Sequence, residues 1–125
     1  MTQVLIDACG WVACVDASIN IERSLEGLLG PCEWVLLSSI HEELKALQHQ
    51  RSSRQPLLLS LLEGKATRVE VDAALHPDDA LLAYAIEHGC VALTVDNSLK
   101  HRLYEANIAV IEVRQNNHLN LIESL

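Results

Sequence analysis

Residues 91–103 read VALTVDNSLKHRL. An apolar run, Val91-Ala92-Leu93-Thr94-Val95, ends abruptly in Asp96, and the polar, helix-compatible segment that starts at Asn97 follows at once. The same device stands at the other end of the chain, where Val4-Leu5-Ile6 ends in Asp7. Two further acids occupy related positions: Glu43 in a helical stretch just after a third strand-like run, and Asp78 directly after Pro77 where another helix opens. In a parallel α/β sheet, carboxylates that end strands or begin the next helices collect along one edge, the edge where such folds bind ligands. Crowded carboxylates repel and need protons or a cation. Hard oxygen donors of this kind suit Mg²⁺ or Mn²⁺.

Working outward, short β-like runs alternate with longer helical stretches. Strands are predicted near residues 3–7, 34–38, 67–71, 90–95 and 108–113, and helices near 11–29 (broken in two), 39–50, 56–64, 76–88 and 98–106. The alternation predicts a three-layer α/β/α fold around a mainly parallel sheet of about five strands. Gly30-Pro31, Gly64 and Gly89 stand at helix ends. Residues 50–55, QRSSRQ, form a polar connection, and residues 114–125 a mixed tail that adds an edge strand or packs on a neighbour. No repeat or long linker divides the 125 residues, so a single domain over 1–125 is expected.

Composition removes several alternatives. Half of the residues are hydrophobic, enough for a core, while aromatics make up 3% with no Phe, which argues against a base-stacking platform. The longest nearly apolar run, Leu57 to Leu62, is far too short to span a bilayer. MTQVLIDACG has no basic leader, so a cytoplasmic location without membrane contact is expected. Cys9, Cys14, Cys32 and Cys90 are irregularly spaced with no CxxC pair, which favours reduced thiols over disulfides or zinc. A formal net charge of −8 excludes a general nucleic-acid coat protein. The four acids singled out account for half of it, and bound divalent ions would offset them.

Each acid also has a structural reading. Asp7 and Asp96 suit turns and helix caps, although Asn97 and Ser98 could cap in place of Asp96. Ser39-Ile40-His41-Glu42 matches a capping box, which gives Glu42 a structural role. Glu43 shares a helix face with Ile40, Leu44 and Leu47, where a buried carboxylate is costly without a partner. Asp78 and Asp79 both suit a helix N-terminus, and periodicity does not separate them. Thr94 is placed to orient a carboxylate or a metal-bound water.

The segments VLIDA (4–8), IHEELKAL (40–47), PDDALLAYA (77–85) and ALTVDNSLKHRL (92–103) together resemble the PIN domain, a metal-dependent ribonuclease fold, from Val4 to about Val113. The resemblance implies a catalytic, metal-holding set of Asp7, Glu43, Asp78 and Asp96. It favours Asp78 over Asp79, because the family's Asp stands seven residues before a helical Ala, here Ala85. It also implies an RNA substrate and cleavage leaving a 5′-phosphate and a 3′-hydroxyl, and it allows a homodimer. Two settings follow: ribosomal-RNA processing or RNA quality control, which PDDALL and TVDNSLKHRL resemble more, and a VapC-type toxin with a small antitoxin partner. One departure is Ala8-Cys9 directly after Asp7, where many PIN domains carry Thr-Asn or a similar polar pair, so that hydrogen-bonding support for Asp7 is expected to be lost.

Lys45, Arg51, Arg54, Lys100 and Arg102 lie near these acids in sequence and are the expected phosphate contacts. Arg51 and Arg54 stand out among them because their loop is not needed for packing. Of six histidines, only His41 is expected beside the site. Two competing readings are a phospho-acceptor receiver module, which lacks its acidic pair here, and a silent PIN module that binds RNA or a protein.

Overall fold

The computed structural model describes residues 1–115 and 117–123. In chain order the elements are β1 Thr2–Ile6, α1 Ala8–Asp16, α2 Ile21–Leu29, β2 Cys32–Leu37, α3 Ser38–Gln50, α4 Leu59–Lys65 and β3 Thr67–Val69. They continue with α5 Pro77–His88, β4 Val91–Leu93, α6 Asn97–Glu105, β5 Val110–Arg114 and β6 His118–Ile122. The sheet runs β3-β2-β1-β4-β5-β6. Every pairing is parallel except β5 with β6. The α/β architecture is thus the one expected, with β6 as a sixth strand: part of the 114–125 tail turns back on β5 as an edge strand. Positions 116, 124 and 125 of that tail lie outside the described residues.

From β1 the chain winds outward to β2 and β3, then crosses over to β4 and winds the other way to β5. Right-handed crossovers place helices of the two halves on opposite faces. Strand order reverses between β1 and β4, which pair at Val4–Val91, Leu5–Ala92 and Ile6–Leu93. A doubly wound sheet opens its ligand crevice at such a point.

Both faces of the central strands are covered toward their C-terminal ends, and the residues there are correspondingly apolar. Val4, Leu5, Ile6, Val35, Leu36, Leu37, Ala92 and Leu93 are all buried. Trp11 and Trp34 meet edge to face, with ring centroids 6.1 Å apart. The Trp11 indole N–H donates to the Leu57 carbonyl at 2.7 Å, which satisfies a buried donor. The expected break in the first helical region falls at Ala17–Asn20, where Ser18 takes φ 56° and Asn20 caps α2 by accepting from Arg23 N–H at 3.1 Å. Gly89 ends α5 at φ 68°, the left-handed conformation that favours glycine.

The expected capping box does not form. The chain passes from β2 into α3 with no residue between, so Ser39 lies inside the first turn rather than at the cap. Ser39 Oγ is buried without a hydrogen-bond partner, and Glu42 pairs instead with Lys45 at 2.6 Å. The neighbouring Ser38 Oγ accepts from Val71 N–H at 2.9 Å, which fixes the chain as it leaves β3.

Gly10 lets α1 lie against the end of β4. A Cβ added there would sit 2.6 Å from the Leu93 carbonyl oxygen, a backbone atom that cannot swing aside. Gly10→Ala should therefore cost roughly 1–3 kcal/mol, the usual penalty for overpacking, read as a lower urea midpoint with unchanged slope. Full stability in the variant would show that α1 has room that this packing denies it.

Candidate active site

Asp7 leaves β1 as the residue before α1, and its backbone N–H donates to the Leu93 carbonyl at 3.0 Å. That bond joins the first acid to the strand that leads to the fourth. Thr94, fully buried, completes the junction. Its hydroxyl donates to Asp7 Oδ2 at 3.0 Å and accepts from the Asp96 N–H at 3.1 Å. Asp7 is only 4% exposed, so these bonds keep a buried carboxylate partnered. The role expected for Thr94, orienting a carboxylate, is the one it takes.

The Ala8-Cys9 departure turns out differently from the expectation. The Cys9 thiol donates to Asp7 Oδ2 at 2.9 Å and lies 3.4 Å from Thr94 Oγ1. Support for Asp7 is retained through sulfur and a β4-end hydroxyl. Burial, followed by the Asp7 charge and hydrogen bond, pushes the Cys9 thiol up to about 11, which keeps it a donor. Asp96 caps α6, its Oδ1 accepting from Leu99 N–H at 3.0 Å, so Asn97 and Ser98 do not take over that role. Among the described residues, Asp7 Oδ1 and Asp96 Oδ2 make no hydrogen bond and are left free for a ligand.

Glu43 and Asp78 approach from α3 and α5, which pack together. Ile40 and Leu44 are buried as the helical stripe predicts, but Leu47 is 36% exposed and Glu43 lies at the rim rather than inside. Its carboxyl end still feels the crowd. Loss of water first, then the charges of Asp7 and Asp78, hold it above the usual carboxylate range, with His76 opposing. Asp78 is raised likewise, by loss of water first, then Asp7 and, more weakly, Asp96, while His76 and Arg102 pull it back. The four acids therefore share one electrostatic neighbourhood. Asp79 accepts from Arg102 at 2.7 Å, whereas the Asp78 side chain makes no hydrogen bond among the described residues.

The sequence pattern places only His41 near the site and misses His76. His76 caps α5, its Nδ1 accepting from Asp78 N–H at 3.1 Å, and its position just before Pro77-Asp78 is the signal that could have found it. His41 is buried and pairs through Nε2 with Glu63 at 2.7 Å.

The expected phosphate contacts are mostly occupied. Lys45 holds Glu42, Lys100 holds Glu112 at 2.8 Å, and Arg102 holds Asp79. Arg51 pairs with Asp16 at 2.6 Å and donates through Nε to the Gln55 carbonyl at 2.9 Å. Its loop is thus tied to α1, contrary to the expectation that packing does not need it. Arg54 is exposed and makes no ion pair among the described residues.

Oxygen-only donors with crowded, raised carboxyls fit a hard divalent cation, which would relieve the repulsion directly. Among the described residues, no three His, Cys, Asp or Glu side chains already stand at the spacing to clasp one ion. Ligation through one or two carboxylates with water in the remaining positions is the mode Mg²⁺ favours.

Raised carboxyls carry a definite sign for stability. Glu43 holds its proton more tightly folded than unfolded, so its charge destabilises the metal-free fold above the folded pKa. That penalty fades as pH falls toward the unfolded value. Glu43→Gln should raise the melting temperature of the metal-free protein at pH 7, with the difference from wild type shrinking toward pH 4. A variant less stable than wild type at pH 7 would show that Glu43 is favourably paired.

Comparison with known proteins agrees with this geometry. The PIN-like domain family matches residues 4–116. Ribonuclease VapC4 of Methanocaldococcus jannaschii is 35% identical over 109 residues, covering 82% of this chain and 83% of that protein. The solved structure of the PIN domain endonuclease Utp24 superimposes with a TM-score of 0.79 at 19% identity, covering 98% of this chain and 92% of that one; at that identity the likeness is one of fold. A family match over residues 4–116, with a relative 35% identical across most of both chains, makes this chain a member of the PIN-like domain family.

Proposed function

We propose that the protein is a Mg²⁺- or Mn²⁺-dependent endoribonuclease with Asp7, Glu43, Asp78 and Asp96 as its catalytic, metal-holding residues. The observation that carries the reading is the Thr94 hydroxyl, which bonds both the Asp7 carboxylate and the Asp96 backbone N–H beside the switch point. The VapC4 relative supports RNA as the substrate. Asp7 Oδ1 and Asp96 Oδ2 would hold the metal, with Glu43 and Asp78 completing the site directly or through water. When bound, the metal supplies an activated water and charge stabilisation at phosphate. The chain's own part is to orient and to exclude. Thr94 and Cys9 fix Asp7, the α6 cap fixes Asp96, and the raised carboxyls of Glu43 and Asp78 are groups able to hold a proton near the reacting water. Water attacks phosphorus, the bond to the 3′-oxygen breaks, and the products carry a 5′-phosphate and a 3′-hydroxyl.

For the biological setting, the curated relative favours a VapC-type toxin held by an antitoxin, and the sequence resemblance of PDDALL and TVDNSLKHRL favours ribosomal-RNA processing or RNA quality control. Growth arrest on expression, relieved by a small protein encoded alongside, supports the toxin; normal growth with altered ribosomal-RNA ends supports the other. Either setting suits a cytoplasmic protein, and no helix among the described residues is long and apolar enough to cross a membrane. A homodimer is compatible with exposed Leu58 and Leu61 on and beside α4.

Asp7→Asn and Asp96→Asn should each abolish Mn²⁺-dependent cleavage of RNA while keeping a native circular dichroism spectrum. Thr94→Val should weaken Mn²⁺ binding, followed by electron paramagnetic resonance, by roughly tenfold to a hundredfold, and Thr94→Ser should restore most of it. Cleavage that survives in Asp7→Asn would point to a contaminating nuclease, and RNA binding without cleavage in wild type and Asp7→Asn alike would favour the silent module.

A further inference from the structure

A cavity of about 670 Å³ opens beside the acids, between the first turns of α3 and the chain that runs from β3 to α5. Glu43 belongs to both the acid cluster and the cavity wall, and Pro77, next to Asp78, closes the same corner. The volume lies within the range of small-ligand pockets and exceeds what one nucleobase needs. Its chemistry is uneven. Val71, Leu75 and Pro77 give an apolar wall. Ser39 Oγ, buried at the cavity with no partner, is the one orphaned side-chain polar atom of its kind among the described residues. Glu42 and Lys45 neutralise each other, and the ring of His41 is held by Glu63. Arg68 and Glu70, by contrast, line the cavity and make no ion pair or side-chain hydrogen bond among the described residues. Two residues apart on extended chain, they project to the same side.

We propose that this cavity is a subsite for a guanine base adjoining the scissile phosphate. The inference rests on the ribonuclease reading and adds base preference to it. An unpaired carboxylate asks for two neighbouring N–H donors, and guanine alone among the four RNA bases offers them, at N1 and N2 of its Watson–Crick edge. Adenine and cytosine place an acceptor beside their amino group, and uracil flanks its one N–H with two carbonyls; each would set an oxygen or nitrogen lone pair against Glu70. Arg68 complements the other side of guanine, where O6 and N7 both accept. Splayed single-stranded bases read on these edges are the usual targets of sequence-selective RNA recognition. The apolar wall of Val71, Leu75 and Pro77 covers one ring face.

Guanosine, adenosine and uridine, neutral and without phosphate, are the probes. Titrated into the metal-free protein and followed by amide NMR shifts, guanosine should perturb residues 38–45 and 68–77 and bind roughly tenfold more tightly than the other two. Glu70→Gln and Arg68→Ala, both at exposed positions, should each lose most of that preference. In parallel, RNAs differing only by guanine or adenine beside a cleaved bond should be cut at rates differing by about the same factor, a ratio that falls toward one in Glu70→Gln. Equal binding of all three nucleosides, shifts that map elsewhere, or an unchanged preference in Glu70→Gln overturns the subsite. Absence of cleavage of any RNA with Mn²⁺ overturns the nuclease reading instead, and the nucleoside titration still decides the pocket.

Discussion

The Leu93 carbonyl and the Thr94 hydroxyl sit where the two halves of the sheet meet. The carbonyl accepts from Asp7 N–H, and the hydroxyl bridges the Asp7 side chain to the Asp96 backbone. These bonds cross the reversal of strand order, the place where the fold leaves a gap for a ligand. Gly10 serves the same junction by removing the Cβ that would strike Leu93. Residues far apart in sequence are therefore brought to one edge by backbone geometry, before any favourable contact between acids exists. Loss of water, and then the charges of the neighbouring acids, oppose that approach, raising the carboxyls of Glu43 and Asp78. The core supplies the compensation: β1, β2 and β4 are buried and nearly all apolar, so their register does not depend on the charges above them.

A site of this kind divides its carboxylates by what anchors them. Asp7 and Asp96 each give one oxygen to the fold and keep the other. Glu43 and Asp78 give none among the described residues, and loss of water, followed by the neighbouring acids, raises both. On the proposed reading, the anchored pair suits ligation and the loosely held pair suits proton traffic. His76 moderates the second pair by standing close to both while capping α5.

Much of this is legible in the sequence because it depends on periodicity and order. The strand-ending acids, the alternation of strand and helix, and the paired halves of the first helical region all follow from local patterning. Asp96 can be named from sequence as cap and as ligand candidate, but not shown to do both. What escapes depends on contacts between distant segments. A capping box at Ser39 requires a residue outside the helix, and the abrupt β2–α3 junction removes it. Cys9 reads as an incidental thiol until the fold places it 2.9 Å from Asp7 Oδ2. Arg51 looks free in a polar loop until Asp16 arrives from α1. Asp78 and Asp79 separate only when Arg102, on another helix, claims one of them.

The cations raise a last physical point. Of nine Lys and Arg residues, Lys45, Arg51, Lys65, Lys100, Arg102 and Arg114 are each within ion-pair distance of a carboxylate, leaving Arg23, Arg54 and Arg68 without one among the described residues. Non-specific affinity for a polyanion comes from releasing counterions at unpaired basic groups, and a chain of net charge −8 with three such groups has little of it. Long-range attraction therefore cannot hold RNA here. Under the proposed function, affinity would come from short-range terms: divalent cations that offset the local charge, and neutral or hydrogen-bonded contacts in the cavity between α3 and the chain from β3 to α5. On the proposed reading, the negative charge withdraws the sequence-blind part of RNA binding and leaves selection to the base subsite.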